Sequence, residues 1–337
     1  MCAFPFARRC AAISIAGSLS SLAVAAQQSF RTFAWTRASE SPIVAPQGKA
    51  WESAGTFNPA VAERDEKFVM LYRAQDTNGT SRLGYAESAD GIHFKRRAEP
   101  VFWPEAHYEK DGGVEDPRLV KIGDTYYLTY TGYSKKEAQL CLAKSQDLVH
   151  WQRLGVILPA YRGNWNKGWT KSGAILNNKI RGEYWMYWLG TAEDKTDQMG
   201  LSRSKDLVHW AEVTKTPVLP RRPGQFDSRV VEPGPPPIIT DAGILLIYNG
   251  ADDNLVYRTG IALFDRKDPS KLLYRSETPV FEPKMDWEKV GQVPNVVFVE
   301  GMAKRGNEWL LYYGGADKYV GVAKTKMLLP ERASSKR

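Results

Sequence analysis

An all-β, five-bladed β-propeller is the fold the sequence predicts, and three observations lead to it. An aromatic-rich run recurs five times, its final aromatics standing at positions 72, 130, 188, 248 and 313. A shorter strand-like segment follows each copy, and the first three of these end in a Ser-x-Asp turn and an aromatic. No heptad and no sustained helical period lies between them. Repeats of this length, made of strands and polar turns, fit four-stranded blades packed radially, which protects sheet edges. A large β-sandwich is the rival, but nothing in it calls for five similar units.

The runs themselves are FVMLYRA at 68–74, YYLTYTG at 126–132, YWMYWLG at 184–190, ILLIYNG at 244–250 and WLLYYGG at 309–315. Their β-branched and aromatic content and terminal small residues mark buried strands. The second element reads YAESADGIHF at 85–94, LAKSQDLVHW at 142–151 and LSRSKDLVHW at 201–210, with degenerate copies GIAL at 260–263 and GVAK at 321–324. Ser-x-Asp supplies a side-chain-capped turn, and the aromatic after it returns the chain to a strand. One domain over 27–337 follows, with a short basic tail from Lys326.

Composition narrows the function classes. The chain has 337 residues, 43% hydrophobic and 25% charged, with net charge +8. Its cations are scattered among acidic residues rather than gathered in a helix or stripe, which argues against a nucleic-acid partner. Residues 1–26 read as a signal peptide: Arg8 and Arg9, an apolar stretch from Ala11 to Val24, then small residues to Ala26. The expected location is therefore secreted or periplasmic, with no membrane span. Cys2 and Cys10 fall in that segment, leaving Cys141 as a small core hydrophobe. Four scattered histidines offer no metal spacing, so no metal or other cofactor is expected.

A channel through the repeats would collect polar groups from the first strand of each blade. The second blade opens with Glu115-Asp116-Pro117-Arg118, where Pro117 suits a strand edge and Asp116 would face the channel mouth. From spacing alone, a catalytic Asp116 and a structural turn aspartate paired with arginine are equally good readings. The other blades offer Asn58 and Arg73, then Lys171, then Glu232 before Pro233-Gly234, then Asp317 after Gly314-Gly315-Ala316. Glu232, flanked by valines and prolines, is poorly explained as a solvated charge. Glycoside cleavage needs such carboxyls in pairs: one protonates the leaving oxygen, the other activates water or attacks the sugar.

These residues resemble glycoside hydrolase family 130, the mannoside phosphorylases and β-mannosidases, from about Asn58 to Lys326. The most specific pieces are Glu115-Asp116-Pro117-Arg118, Gly234-Pro235-Pro236-Pro237-Ile238 and Gly314-Gly315-Ala316-Asp317. The resemblance implies a five-bladed propeller with Asp116 as general acid, in some accounts acting through a sugar hydroxyl. It places Asn58, Arg73 and Asp317 on the sugar near the cleaved bond, and Lys171 where phosphorylases carry a basic phosphate ligand. The chain departs from the phosphorylase pattern where the family's lysine and histidine become Val230 and Asn249, and where Glu232 is added. A carboxylate beside a phosphate dianion is repulsive.

The expectation is thus an inverting, exo-acting β-mannosidase for β-1,2- or β-1,4-linked glycans. Glu232 is the candidate base and Glu193 a second. Asn58, Arg73, Lys171, Asn249 and Asp317 would bind substrate, while Glu277 and Glu300 read as structural. The alternatives are a β-mannoside phosphorylase releasing mannose 1-phosphate and a non-catalytic carbohydrate-binding propeller. The loops at 160–169 and 221–226 would set the depth of the pocket, and oligomerisation is left open.

Overall fold

The computed structural model describes residues 35–326 except residue 49. The expected signal peptide, with Cys2 and Cys10, lies outside the described residues, as does all of the tail beyond Lys326. The described chain is all-β, with twenty-one strands and two short helical turns. After β1 (Thr36–Arg37), the strands fall into five antiparallel units. The first holds β2 (Gly55–Arg64), β3 (Lys67–Gln75), β4 (Ser81–Ser88) and β5 (Lys95–Arg96). The second holds β6 (Gly113–Ile122), β7 (Thr125–Tyr133), β8 (Ala138–Ser145) and β9 (Gln152–Leu158). The third holds β10 (Thr170–Ile175), β11 (Tyr184–Thr191), β12 (Asp197–Ser204) and β13 (Ala211–Glu212). The fourth holds β14 (Val230–Pro233), β15 (Ile238–Ile239), β16 (Ile244–Ala251), β17 (Tyr257–Phe264) and β18 (Leu272–Arg275). The fifth holds β19 (Val297–Arg305), β20 (Glu308–Gly315) and β21 (Tyr319–Thr325), and β1 pairs with β21 as its outer strand.

The five aromatic-rich runs are the second strands, β3, β7, β11, β16 and β20. Their middles are largely apolar and aromatic because both faces are buried there, each against a different neighbour. In β3, Val69 and Leu71 pack towards the second unit, while Phe68, Met70 and Tyr72 pack towards the fifth. In β11, Met186 and Trp188 face the second unit, and Trp185 and Tyr187 the fourth. In β20, Leu311 and Tyr313 meet Ile247 of the fourth unit, while Leu310 and Tyr312 meet the first. The period of two thus sends alternate residues into successive interfaces. Cys141 sits in one of these cores, as a small apolar residue should.

Single parallel bridges tie the units edge to edge: Ser81 to Gly113, Asp197 to Val230 and Tyr257 to Val296. The Ser-x-Asp turns form as expected. Asp90, Asp147 and Asp206 each accept two backbone N–H bonds and pair with an exposed histidine three residues on.

A buried polar triad repeats in four units. Tyr72 donates to Glu52, Tyr130 to Glu109, Tyr248 to Asp227 and Tyr313 to Glu288, at 2.7–2.8 Å. Each carboxylate also holds an arginine from the outermost strand: Arg96, Arg153, Arg275 and Arg37 respectively. These arginines occupy one register position, opposite Ala86, Ala143, Ala262 and Ala323. Arg37 comes from β1, so the start of the described chain completes the fifth unit both in its sheet and in its buried charge.

Candidate active site

The inner strands β2, β6, β10, β14 and β19 carry the site. Four of them slip register at the same level: between Phe57 and Pro59, Glu115 and Arg118, Lys171 and Ala174, and Val299 and Gly301. In each inner strand a polar residue precedes Pro or Gly at this point: Asn58, Asp116, Ser172, Glu232 and Glu300. All five are buried. A bulge leaves one residue outside the ladder and turns its side chain aside. Asn58, Asp116 and Ser172 adopt φ of 48°, 51° and 58°, a region that non-glycine residues rarely enter. The sequence had placed the Glu115-Asp116-Pro117-Arg118 run before a strand, with Pro117 at its edge. The structure places it inside β6, where the bulge removes the need for an N–H at position 117.

The bulge residues meet one another. Asn58 Nδ2 donates to Asp116 Oδ1 at 2.8 Å. Ser172 Oγ donates to Glu232 Oε1. Arg73, from β3, reaches Asp116 Oδ1 at 2.9 Å and Glu115 Oε1 at 2.6 Å, with its guanidinium 4.7 Å from the Phe57 ring centroid. Arg118 is fully enclosed. It donates to the carbonyls of Asp116, Pro233 and Gly234 and lies 3.0 Å from Glu300 and 3.9 Å from Glu232. Arg118 therefore fixes the backbone that carries Asp116 against the backbone that carries Glu232.

Five carboxyls (Glu115, Asp116, Glu232, Glu300, Asp317) share three cations (Arg73, Arg118, Lys171), as the interactions that set their pKa values show. Burial pushes Glu232 up to about 7, against the pull of Arg118, Ser172 and Lys171. Burial likewise takes Asp317 to about 6, opposed chiefly by Arg73. Burial raises Glu115 and lifts Glu300 well above the usual carboxyl range. Burial would raise Asp116 too, but Arg73, Lys171 and Asn58 outweigh it and hold its pKa low. Lys171 would be depressed by burial, yet Glu115, Asp116 and Glu232 raise it, so it stays protonated.

The geometry thus unites Asp116, Glu232, Asn58, Arg73, Lys171 and Asp317 of the expected site residues. Asn249 is a correction: it is fully buried, and its amide both donates to and accepts from the Val299 backbone, at 3.0 and 2.8 Å. It ties the fourth unit to the fifth through the Val299 backbone. Glu193 is exposed in the turn between β11 and β12, and Glu277 is exposed after β18. Glu300, expected to be structural, belongs to the central ring. Sequence reasoning named Arg118 only as a neighbour of Asp116 and gave Ser172 and Tyr257 no role. The Tyr257 hydroxyl has its pKa raised by burial and by Glu232, Asp317, Asp197 and Asp116, which places it at the same centre. The repeated polar-then-Pro/Gly pair was the signal that could have found Ser172 and Glu300.

Comparison with known proteins agrees with this frame. The family model described as "beta-1,4-mannooligosaccharide phosphorylase" matches residues 35–329. A 1,2-beta-oligomannan phosphorylase of Thermoanaerobacter sp. (strain X514) is 39% identical over 302 residues, covering 86% of this chain and 97% of that one. A beta-1,2-mannobiose phosphorylase of the same organism is 36% identical, with 86% and 97% coverage. One solved structure is described by the statement that the "GH130 family of mannoside phosphorylases contains glycoside hydrolases that target beta-1,2 mannosidic linkages in Candida mannan". It superposes with a TM-score of 0.79 at 37% identity, covering 87% of this chain and 93% of that one. On these matches the chain belongs to glycoside hydrolase family 130.

Proposed function

We propose that this chain is an inverting, exo-acting β-mannosidase that releases mannose from β-1,2-linked mannosides. The five units are then blades of a five-bladed propeller, and the bulge residues gather where its channel opens. The observation that carries the reading is Glu232: a buried carboxyl on Ser172, with a pKa of about 7, in a centre where carboxyls outnumber cations five to three. A base poised near neutrality suits water activation, whereas a phosphate dianion placed against an ionised Glu232 would be repelled by it.

In the proposed step, water attacks the anomeric carbon from the Glu232 side and gives its proton to that carboxylate. The bond from the anomeric carbon to the linkage oxygen breaks, and the oxygen takes a proton from the Asp116 side. Asp116 is held ionised in the free site. The proton is therefore supplied by the Glu115–Asp116 pair, which shares Arg73, once substrate changes the balance between the two. Asn58, Arg73 and Asp317 orient the terminal sugar, and Glu193 assists from the rim. Secretion or periplasmic export through residues 1–26 completes the proposal.

Phosphorolysis is the second reading, and the named relatives support it better than they support hydrolysis. Two of them, at 39% and 36% identity, are phosphorylases of β-1,2-mannosides. In that reading Lys171, held protonated, and Arg73 would face the phosphate. Incubating β-1,2-mannobiose with and without phosphate separates the two. Free mannose formed without phosphate supports hydrolysis; mannose 1-phosphate formed only with phosphate supports the second reading. Saturable sugar binding with neither product would leave only a carbohydrate-binding role.

A further inference from the structure

The third unit breaks the buried triad that the other four share, and the break has a visible use. At its tyrosine position stands Trp188, at its carboxylate position Asn166, and at its arginine position Glu212, opposite Ser202. These replacements hold the loop at 159–169 instead of closing an ion triad. Glu212 Oε2 accepts the backbone N–H of Asn164 at 2.6 Å. Trp188 stacks on Trp165 of the loop, with ring centroids 5.4 Å apart and planes 19° from parallel. Asn166 Nδ2 donates to the carbonyl of Gly168, and Tyr161 N–H donates to the same carbonyl at 2.8 Å. Lys167 and Gly168 N–H both bond the Thr191 carbonyl at 2.9 Å.

The anchored loop presents aromatic surface next to Lys171. Trp169 is half-buried, and its indole N–H donates to the Tyr161 hydroxyl at 3.1 Å. Tyr161 is 56% exposed and holds φ of 60°, a conformation a bulky residue adopts only when its surroundings impose it. Tyr133, from the end of β7, packs 5.8 Å from the Trp169 ring and pairs in register with Gly113, three residues before Asp116. The Trp169 ring also lies 5.3 Å from Lys171 Nζ, whose charge acts on Glu115, Asp116 and Glu232.

We infer that Trp169 and Tyr161, flanked by Tyr133, form a stacking platform for a pyranose ring on the leaving-group side of the cleaved bond. A sugar ring offers an apolar C–H face that an indole can cover while its hydroxyls stay wet. The platform therefore sets the preference for longer oligosaccharides over small leaving groups. The inference rests on the proposed cleavage of β-mannosides but holds for water or phosphate as acceptor.

The test compares β-1,2-mannotriose with methyl β-mannoside in wild type, Trp169→Ala and Tyr161→Ala, with melting temperature as a check on folding. The ratio of kcat/KM for the trisaccharide to that for the methyl glycoside is expected to fall about tenfold in Trp169→Ala, the size of one aromatic contact, and less in Tyr161→Ala. An unchanged ratio in a folded Trp169→Ala protein overturns the platform. If wild type cleaves neither compound, the cleavage reading fails instead. Calorimetric titration with mannotriose then decides the platform alone: weaker binding in Trp169→Ala supports it, and equal or absent binding in both proteins overturns it.

Discussion

Two rings of buried charge run through this molecule, and they are built to different rules. In the outer ring each carboxylate has a tyrosine hydroxyl and at least one arginine of its own: Glu52 with Arg96, Glu109 with Arg153, Glu288 with Arg37, and Asp227 with Arg275 and Arg222. In the central ring five carboxyls compete for three cations, and burial pushes four of them above their usual range. Satisfied buried charge adds fixed geometry; carboxyls short of cations keep protons near neutral pH and can move them. The contrast separates the residues that hold the units together from those placed to do chemistry. It also makes the third unit, whose triad is replaced, the place to look for something other than scaffolding.

The largest effects should come from the central ring. Asp116→Asn and Glu232→Gln should each lower kcat by about 10²- to 10⁴-fold, as removal of a general acid or base does, with little change in melting temperature. Rates within tenfold of wild type would remove those residues from the chemistry. Glu232 should also set an acidic limb in the kcat/KM profile near pH 7. Activity falls as pH drops through that value because the base becomes protonated, and the limb should vanish in Glu232→Gln.

Next come the outer triads. Glu109→Ala leaves Arg153 and Tyr130 without their buried partner and should destabilise the fold by about 3–5 kcal/mol, the loss typical of a broken buried ion pair. Denaturant unfolding checks this, and kcat should stay near wild type in whatever protein remains folded. A loss of activity at full stability would erase the distinction between the rings.

The smallest effect is a pH dependence of stability. Glu232 and Asp317 have folded-state pKa values of about 7 and 6, raised from 4.5 and 3.8. In that window the folded state binds more protons than the unfolded one, so their contribution to stability is present at low pH and lost as pH rises from about 4 to about 7. Melting temperature between pH 5 and pH 8 should therefore fall more steeply in wild type than in Glu232→Gln. Parallel curves would mean that Glu232 is not buried as described.

The repeat was legible because each second strand buries both faces, which makes its text a continuous aromatic run. Glu232 stood out because a charged residue among valines and prolines is poorly explained as solvated, whereas Asp116 read equally well as a structural turn aspartate, and Arg73 and Lys171 were placed only by the family resemblance. The bulges were not. A register slip is a relation between two strands, and one strand's sequence shows it only as a polar residue before Pro or Gly, too common a pair to notice once. Asn249 misled because a matched position in the sequence gives no hint that both sides of its amide are taken by Val299. Arg37 and Tyr313 lie far apart in the chain, so the fifth triad could be seen only once β1 was found beside β21.

The central claim of the proposal is that Glu232, buried and with a pKa of about 7, activates water. Product analysis of β-1,2-mannobiose turnover tests it most directly, in wild type and Glu232→Gln, with and without phosphate. The account predicts free mannose without phosphate from wild type and its loss in the variant. Mannose 1-phosphate formed only with phosphate, and not reduced by Glu232→Gln, would contradict it.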